Sequence, residues 1–371
     1  MPCAPSYPAW VSAPLTRLAA LTVAAAVLAS CDSSGGGTAK PRTSIAAPTS
    51  APTEVAPPSP QTPAKDITLA FAGDVHFAGR TEKLLADPQT ALGPIAAELG
   101  RADLAMVNLE SAITQGGTPE PKQYHFRAPA KALTALKAAG IDVTTMATNH
   151  ALDYGPAGLA DTLAAIRSSG QPVVGIGKDK AAAYAPWVTM VRGTRIAFVG
   201  LSQIRERAPQ WTARADRPGI ASGLDVPASV AAVKAARARA DVVVVYLHWG
   251  KEGSACPTAA MKSLAKSLAD AGADAIVSTH AHLMLGDGYL GHTYVQYGLG
   301  NFLWWWDNAY SNDTGVLTLT VHGRSVTKAE LTPARISTRT GQPLVATGAE
   351  ATRIRTKYAG LRACTGLGNT P

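Results

Sequence analysis

The sequence is short of charge, aromatics and cysteine. Of its 371 residues, 16% are Asp, Glu, Lys or Arg and 6% are aromatic. A chain that stays disordered needs high charge and few apolar residues, but here 46% are hydrophobic, so wholesale disorder is excluded. Four cysteines in this length exclude a disulfide-dense miniprotein. The 34 Lys and Arg exceed the 26 Asp and Glu, giving 34 − 26 = +8, yet the excess is scattered. Without a basic block there is no electrostatic track for nucleic acid, and no nucleic-acid partner is expected. The length allows one large or two small domains with a sizeable core.

What is present begins with a leader. Arg17 precedes the stretch Leu18–Ala29, which ends in Leu28-Ala29-Ser30-Cys31. These twelve positions are too few to cross a hydrocarbon layer of about 30 Å, but they suit a secretory signal over 1–30. Small residues just before a cysteine resemble a bacterial lipobox, with Cys31 acylated as the mature N-terminus; a plain cleaved signal is the alternative. Residues 31–65 are rich in Gly, Pro, Ser, Thr and Ala and read as a tether. The expected location is therefore outside the cytoplasm, on the cell membrane through the lipid. Cys3 leaves with the signal, so Cys256 and Cys364 remain to pair in an oxidising exterior, with two free thiols as the alternative.

From Asp66 apolar runs alternate with helical stretches. Runs at Ile67–Ala72, Leu104–Val107, Val143–Ala147, Ile196–Leu201, Val242–Leu247, Ala275–Val277 and Thr293–Tyr297 read as buried strands. Helices are expected over Pro129–Ala139, Pro156–Ser169, Pro227–Ala240 and Thr258–Ala271, each opening at or just after a proline. Val316–Val321 and Val326–Leu331 read as a hairpin. The class is α/β, with a folded domain over 66–335 and a tail over 336–371, pinned if the disulfide forms.

The polar residues cluster where these strands end, which is where α/β folds collect ligands. The sequence has 8 His, and five occur in or beside such endings: His76, His150, His248, His280 and His282. Asp74, Glu110 and Asn149 accompany them. Imidazole, carboxylate and amide groups together suit Zn²⁺, Mn²⁺ or Fe²⁺, and the absence of cysteine from the set suits a catalytic site. A lone strand-end histidine is usually structural; this recurrence points to a divalent metal.

The order Gly73-Asp74, Asn108-Leu109-Glu110, Thr148-Asn149-His150, His248-Trp249-Gly250, His280-Ala281-His282 and Tyr297-Gly298-Leu299-Gly300-Asn301-Phe302 resembles the CapA family. That family is named for poly-gamma-glutamate capsule synthesis and is related to calcineurin-like metallophosphatases. The resemblance implies a four-layer sandwich, two mixed β-sheets flanked by helices, with two metals between the strand ends. It assigns Asp74, His76 and His282 to one metal and Asn149, His248 and His280 to the other, with Glu110 as the bridge. It makes His150 the acid that protonates a leaving oxygen. Glu110 has a longer arm than the aspartate usual at a bridge, so a one-metal site is the alternative.

Lys122, Tyr124 and Arg127, in a loop resembling a family segment, are candidates to meet an anionic substrate, as are Arg205 and Asn301. Trp304-Trp305-Trp306 with Tyr310 read as a stacking wall, an interfacial patch or core. The expected role is metal-assisted hydrolysis or transfer on an anionic envelope polymer or its precursor. The alternative is a non-catalytic component that binds polymer or a membrane-bound polymer synthase. A solute-binding lipoprotein, a third class, would require two similar lobes.

Overall fold

The computed structural model describes residues 65–371. The expected secretory leader, Cys31 as the expected acylation site, and all of the expected tether but Lys65 lie outside the described residues. Strand β1 (Ile67–Val75) has no solvent face. Ile67, Leu69 and Phe71 enter one apolar cluster, and Ala70, Ala72 and Val75 enter another. A strand buried on both faces carries an uninterrupted apolar run, which is the pattern its sequence shows.

From β1 the chain passes to β2 (Leu104–Leu109), helix α1 (Lys131–Ala138), β3 (Val143–Thr145), helix α2 (Gly155–Ser169) and β4 (Val173–Val174). These four strands lie parallel in the order β1-β2-β3-β4. A second sheet opens with β5 (Trp187–Val191), antiparallel to β6 (Thr194–Ser202). Helix α3 (Val226–Arg237), β7 (Val242–His248), helix α4 (Ala259–Asp270) and β8 (Ala275–Thr279) add parallel strands. The hairpin β9 (Asp287–Leu290) and β10 (Thr293–Gln296) completes the order β9-β10-β8-β7-β6-β5.

The chain then returns to the first sheet. Strand β11 (Asn301–Leu303) pairs with the carboxyl end of β1. The hairpin β12 (Asp313–His322) and β13 (Ser325–Ile336) extends the sheet, with β14 (Pro343–Val345) at its edge. Both sheets are mixed.

Three apolar clusters fix the layers. Leu69, Phe71 and Met106 of the first sheet pack with Phe198, Val244 and Tyr246 of the second. Leu133, Leu136 and Leu159 of α1 and α2 pack on the first sheet's outer face with Ala70 and Val107. Val233 of α3 and Leu264 and Leu268 of α4 do the same for the second, with Val199 and Val243. Helix, sheet, sheet, helix is the four-layer α/β sandwich expected. The starts of α3 and α4 are set locally, where Asp225 accepts from the Ala228 N–H and Thr258 from the Met261 N–H.

Residues 336–371, read as a tail, build structure instead. Beyond β14, helix α5 (Gly348–Gly360) buries Ala351, Ile354 and Tyr358 on one face. Asp313 of β12 accepts from Arg353 at 2.6 Å and from Lys357 at 2.8 Å, tying α5 to the sheet. A disulfide joins Cys256, in the loop after β7, to Cys364 beyond α5, with the Cα atoms 5.7 Å apart. Among the described residues no helix is long and apolar enough to cross a membrane.

Candidate metal centre

The parallel strands of both sheets end on the same side of the sandwich, and their last residues meet there. Asp74 near the end of β1 accepts from Asn108 Nδ2 at 2.7 Å and from the His280 backbone N–H at 3.2 Å. Across the sheets, His248 Nε2 lies 2.7 Å from Asn149 Oδ1. Asp74, Glu110, His248 and Asn149 are all buried. Close backbone approach makes this possible. A Cβ on Gly73 would fall 1.9 Å from the Gly300 carbonyl oxygen, the same oxygen that accepts from the Asp74 N–H at 2.9 Å. Only glycine fits.

His280 and His282 carry positive φ angles of 96° and 57°, a region that side-chain-bearing residues seldom enter. Such strain persists where surrounding structure enforces it, and it collects at functional sites. Here it turns two imidazoles of one short loop into the same space.

Two groups of ligand atoms result, each drawn within 4.8 Å: Asp74, Glu110 and His248, and Glu110, His280 and His282. Glu110 belongs to both. Around His248 Nε2 stand Asn149 Oδ1 at 2.7 Å, His280 Nδ1 at 3.1 Å and Glu110 Oε1 at 3.1 Å. One nitrogen serves as donor to one of these at most, so lone pairs are left facing one another. Both Glu110 oxygens are buried without a hydrogen-bond partner in proper geometry, as are both ring nitrogens of His76. An unsatisfied buried polar group costs about 1–3 kcal/mol. Lone pairs aimed at one another from His, Asp, Glu and Asn are the donor set a divalent cation takes, so the residues present fit a metal.

His76 stands a little apart. It is in neither group; its ring stacks on Phe126 at 4.4 Å and meets the edge of Trp304 at 4.4 Å. Asn301, a substrate candidate from the sequence, instead accepts from or faces His282 Nδ1 at 2.9 Å through Oδ1 and so orients that imidazole. Such outer partners fix which ring nitrogen stays free for a metal.

Electrostatics agree with the chemistry. Burial lowers the pKa values of His76 and His280 well below the ordinary value, and it lowers His248 to about 4 against the opposing pull of Asp74. These imidazoles are therefore neutral, with lone pairs to offer. Burial also opposes the charge on His282, but Glu110 and Asp74 outweigh it and raise that group. Burial, then Asp74, raises the Glu110 carboxyl well above the carboxylate range.

Beside this centre, His150 Nδ1 lies 2.6 Å from Asp153 Oδ2. Asp153 also accepts from the Phe126 N–H at 2.6 Å and pairs with Lys122 Nζ at 2.9 Å. Burial pushes the Asp153 carboxyl up to about 6, with Lys122 acting against it. Burial and Lys122 lower His150 well below its usual value. The pair is poised as carboxylate and neutral imidazole. Asp153 was not among the residues singled out from the sequence; its one signal there is the i, i+3 spacing from His150.

Lys122 corrects an expectation. Read as a substrate contact, its side chain is only 2% exposed. It donates to the Asn149 carbonyl and lies 5.1 Å from the Trp211 ring centroid. A lysine between Pro121 and Gln123 in a polar loop looks solvated in sequence; here a buried acid and an indole face hold it. The Arg127 guanidinium lies over Tyr154 at 4.6 Å and reaches the Gln115 carbonyl, so its known contacts are structural. Tyr124 is 42% exposed at the mouth of the site, 6.3 Å from Trp305. Arg205 lines a cleft of 390 Å³ that reaches His280 between Gln203 and Thr258. A larger cleft of 760 Å³, between Arg355 of α5 and Glu330 of β13, is lined by none of the metal-centre residues.

Residues 68–304 match the family profile described as bacterial capsule synthesis protein PGA_cap. A PGA biosynthesis protein CapA of Bacillus subtilis (strain 168) is 27% identical over 283 residues, covering 75% of this chain and 74% of its own. A capsule biosynthesis protein CapA of Bacillus anthracis is 26% identical over 309 residues, covering 80% and 74%. Among solved structures, the chain is similar to a novel phosphatase of Mycoplasma pneumoniae at TM-score 0.45 and 15% identity, covering 78% of this chain and 97% of that one. A putative 5'-nucleotidase from Staphylococcus aureus gives TM-score 0.46 and 17% identity, covering 80% and 58%.

Proposed function

Because this chain belongs to the bacterial capsule synthesis protein PGA_cap family, we propose that it acts in the synthesis of an anionic envelope polymer as a metal-dependent hydrolase or transferase. The observation that carries the reading is the sharing of Glu110 between two groups of ligand atoms beside the His150–Asp153 pair. Asp74 and His248, with Asn149 at 2.7 Å from His248, would hold one divalent ion and His280 and His282 a second, with Glu110 as the bridge. This division differs from the one the family resemblance implies, which pairs Asp74 with His282 and His248 with His280. A bound pair of such ions supplies Lewis-acid stabilisation and a hydroxide nucleophile at neutral pH.

The chain's own residues do the rest. Asp153 fixes the His150 ring through Nδ1, which leaves the Nε2 lone pair to take up a proton, giving an imidazolium that the Asp153 carboxylate stabilises, and to hand that proton to a leaving oxygen. Lys122 keeps Asp153 ionised and holds the Asn149 backbone in register. Arg205, on the cleft that reaches His280, offers a cation to an anionic substrate. The relatives named for capsule and PGA biosynthesis support an envelope polymer as the substrate class. We extend the reading to export and attachment through Cys31, which places the site on the outer face of the membrane near its polymer.

The test is elemental analysis of the purified protein beside Asp74→Ala/His248→Ala. Up to two transition-metal ions per chain, absent from the variant, are expected, with a phosphodiester surrogate cleaved only by the loaded protein. No metal after reconstitution with Mn²⁺, Zn²⁺ or Fe²⁺ would overturn the hydrolase reading and leave a polymer-binding or synthase-assembly component in its place.

A further inference from the structure

We propose that the exposed aromatic rings at the mouth of the metal centre form a subsite for the sugar rings of a saccharide. The inference deepens the proposed function and rests on it only for the identity of the neighbouring centre. A line of rings leads outward from the ligand cluster. Trp304 is buried, with its ring 4.4 Å from His76 and 4.6 Å from His282. Trp305, half-buried, lies 5.9 Å from Phe126. Trp306 follows at 5.7 Å from Trp305 and is 54% exposed, and Tyr124 stands 6.3 Å from Trp305.

These rings are held rather than left loose. The Arg80 guanidinium donates to the Trp304 carbonyl at 3.1 Å, to the Trp306 carbonyl at 3.0 Å and to the Thr338 carbonyl. One planar fork thereby fixes the backbone on both sides of Trp305. Core packing does not explain an indole clamped at its backbone and left half in water. A ligand does.

Ring geometry selects the ligand class. Trp305 and Trp306 are inclined by 41°, and Tyr124 and Trp305 by 57°. A flat base has no parallel pair here to slip between. A chain of saturated rings, each turned against the last, can lay one C–H-bearing face on each successive aromatic face, where the negative π cloud meets the positive edge of the C–H bonds. The exposed Asp307 carboxylate, next in sequence to Trp306, accepts from Asn312 Nδ2 at 3.1 Å through Oδ1 and keeps Oδ2 for sugar hydroxyls. The substrate class that follows is a glycan-bearing polymer or precursor, its sugars on the tryptophans and its anionic bond at the metal centre.

The experiment titrates the full chain with N-acetylglucosamine tetramer and with maltotetraose, following tryptophan emission. It includes Trp306→Ala and Tyr124→Ala, phosphatidylcholine/phosphatidylglycerol vesicles as a separate arm, and metal content on every preparation. Saturable quenching by at least one tetrasaccharide is expected, weakened about ten-fold or more in Trp306→Ala with metal content unchanged. No saturable response to either tetrasaccharide, or equal affinity in all three proteins, would overturn the proposal. So would a vesicle-induced blue shift lost in Trp306→Ala, which would assign the patch to a lipid surface. Saccharide binding by a protein that holds no metal would defeat the metal reading alone.

Discussion

His150 and Asp153 are joined at 2.6 Å through Nδ1 and Oδ2, across one turn of chain. The contact leaves the distal ring nitrogen, Nε2, as the only one available to a substrate. We predict that His150→Ala lowers turnover of a phosphodiester surrogate by about 10²–10⁴-fold, the usual contribution of a positioned acid, with metal content intact. Asp153→Asn lowers it in the same direction by freeing the ring. Steady-state kinetics with parallel metal analysis decides; an unchanged turnover in His150→Ala removes the residue from the reaction.

The buried cation at Lys122 carries a different signature from a substrate contact. Its ammonium pairs with Asp153 at 2.9 Å, and both side chains are 2% exposed or less. Removing one partner of such a pair leaves the other charge stranded, at about 3–5 kcal/mol. Lys122→Ala should therefore lower the thermal midpoint by many degrees in the absence of any ligand. A midpoint equal to wild type would return Lys122 to the role of an exposed substrate contact.

Gly73 offers a steric test. A Cβ there would sit 1.9 Å from the Gly300 carbonyl oxygen, whereas one at Gly170 meets nothing within 4 Å. Gly73→Ala is expected to cost about 3 kcal/mol or more through forced backbone movement. Gly170→Ala, with φ of 66°, should cost only about 1–2 kcal/mol for its left-handed conformation. Denaturant unfolding of both, compared at constant m, gives the answer, and equal losses would refute the close approach.

The Cys256–Cys364 bridge spans 108 residues of sequence. In the chain-entropy account a loop of this length stabilises by roughly 4–5 kcal/mol. Dithiothreitol should lower the melting temperature of the wild-type chain and leave a Cys256→Ser/Cys364→Ser protein where it was. An identical shift in both would trace the effect to something other than this bond.

Asp313 supplies a pH test away from the metal centre. Burial would raise its carboxyl, but hydrogen bonds from Arg353 and Lys357 prevail and hold it at about 2. A carboxyl depressed in the folded state contributes stability that is fully present above its ordinary value near 4. That stability is lost as the pH falls from there through about 2. Asp313→Asn should be less stable at pH 7 and should lack this acid-dependent loss. Parallel acid-denaturation curves for the two proteins would show that the α5 anchor is not electrostatic.

Much of this molecule could be read from its residues, and the boundary is physical. Runs such as Val242–Leu247 are buried on both faces, so they declared strands without needing a partner; the histidines that end them declared a site. Contacts made across long separations were silent. Arg80 reaches carbonyls of Trp304 and Trp306 more than two hundred residues away, and nothing local marks it. Lys122 showed its charge but not the buried Asp153 that neutralises it. Helix α5 was missed because its buried stripe of Ala351, Ile354 and Tyr358 is thin among threonines and arginines. The left-handed turns at His280 and His282 have no compositional trace, since a glycine would ordinarily stand there.

The polar cluster sits at one end of the seam between two sheets whose middle is apolar, and the pairs Arg192–Asp103 and Arg324–Asp274 join the sheets at the other end. Asn149 against His248, Asp74 against the His280 amide and Tyr246 against the Ala72 carbonyl are stitches across that seam. Apolar faces resist separation but tolerate sliding, because an oily contact has no preferred register at the scale of a fraction of an ångström. Directional bonds at the ends remove that freedom, and those at the metal centre are the buried ones. The sandwich is therefore stiff in shear at its working edge, and a cut stitch in one sheet should be felt as faster amide exchange in the other.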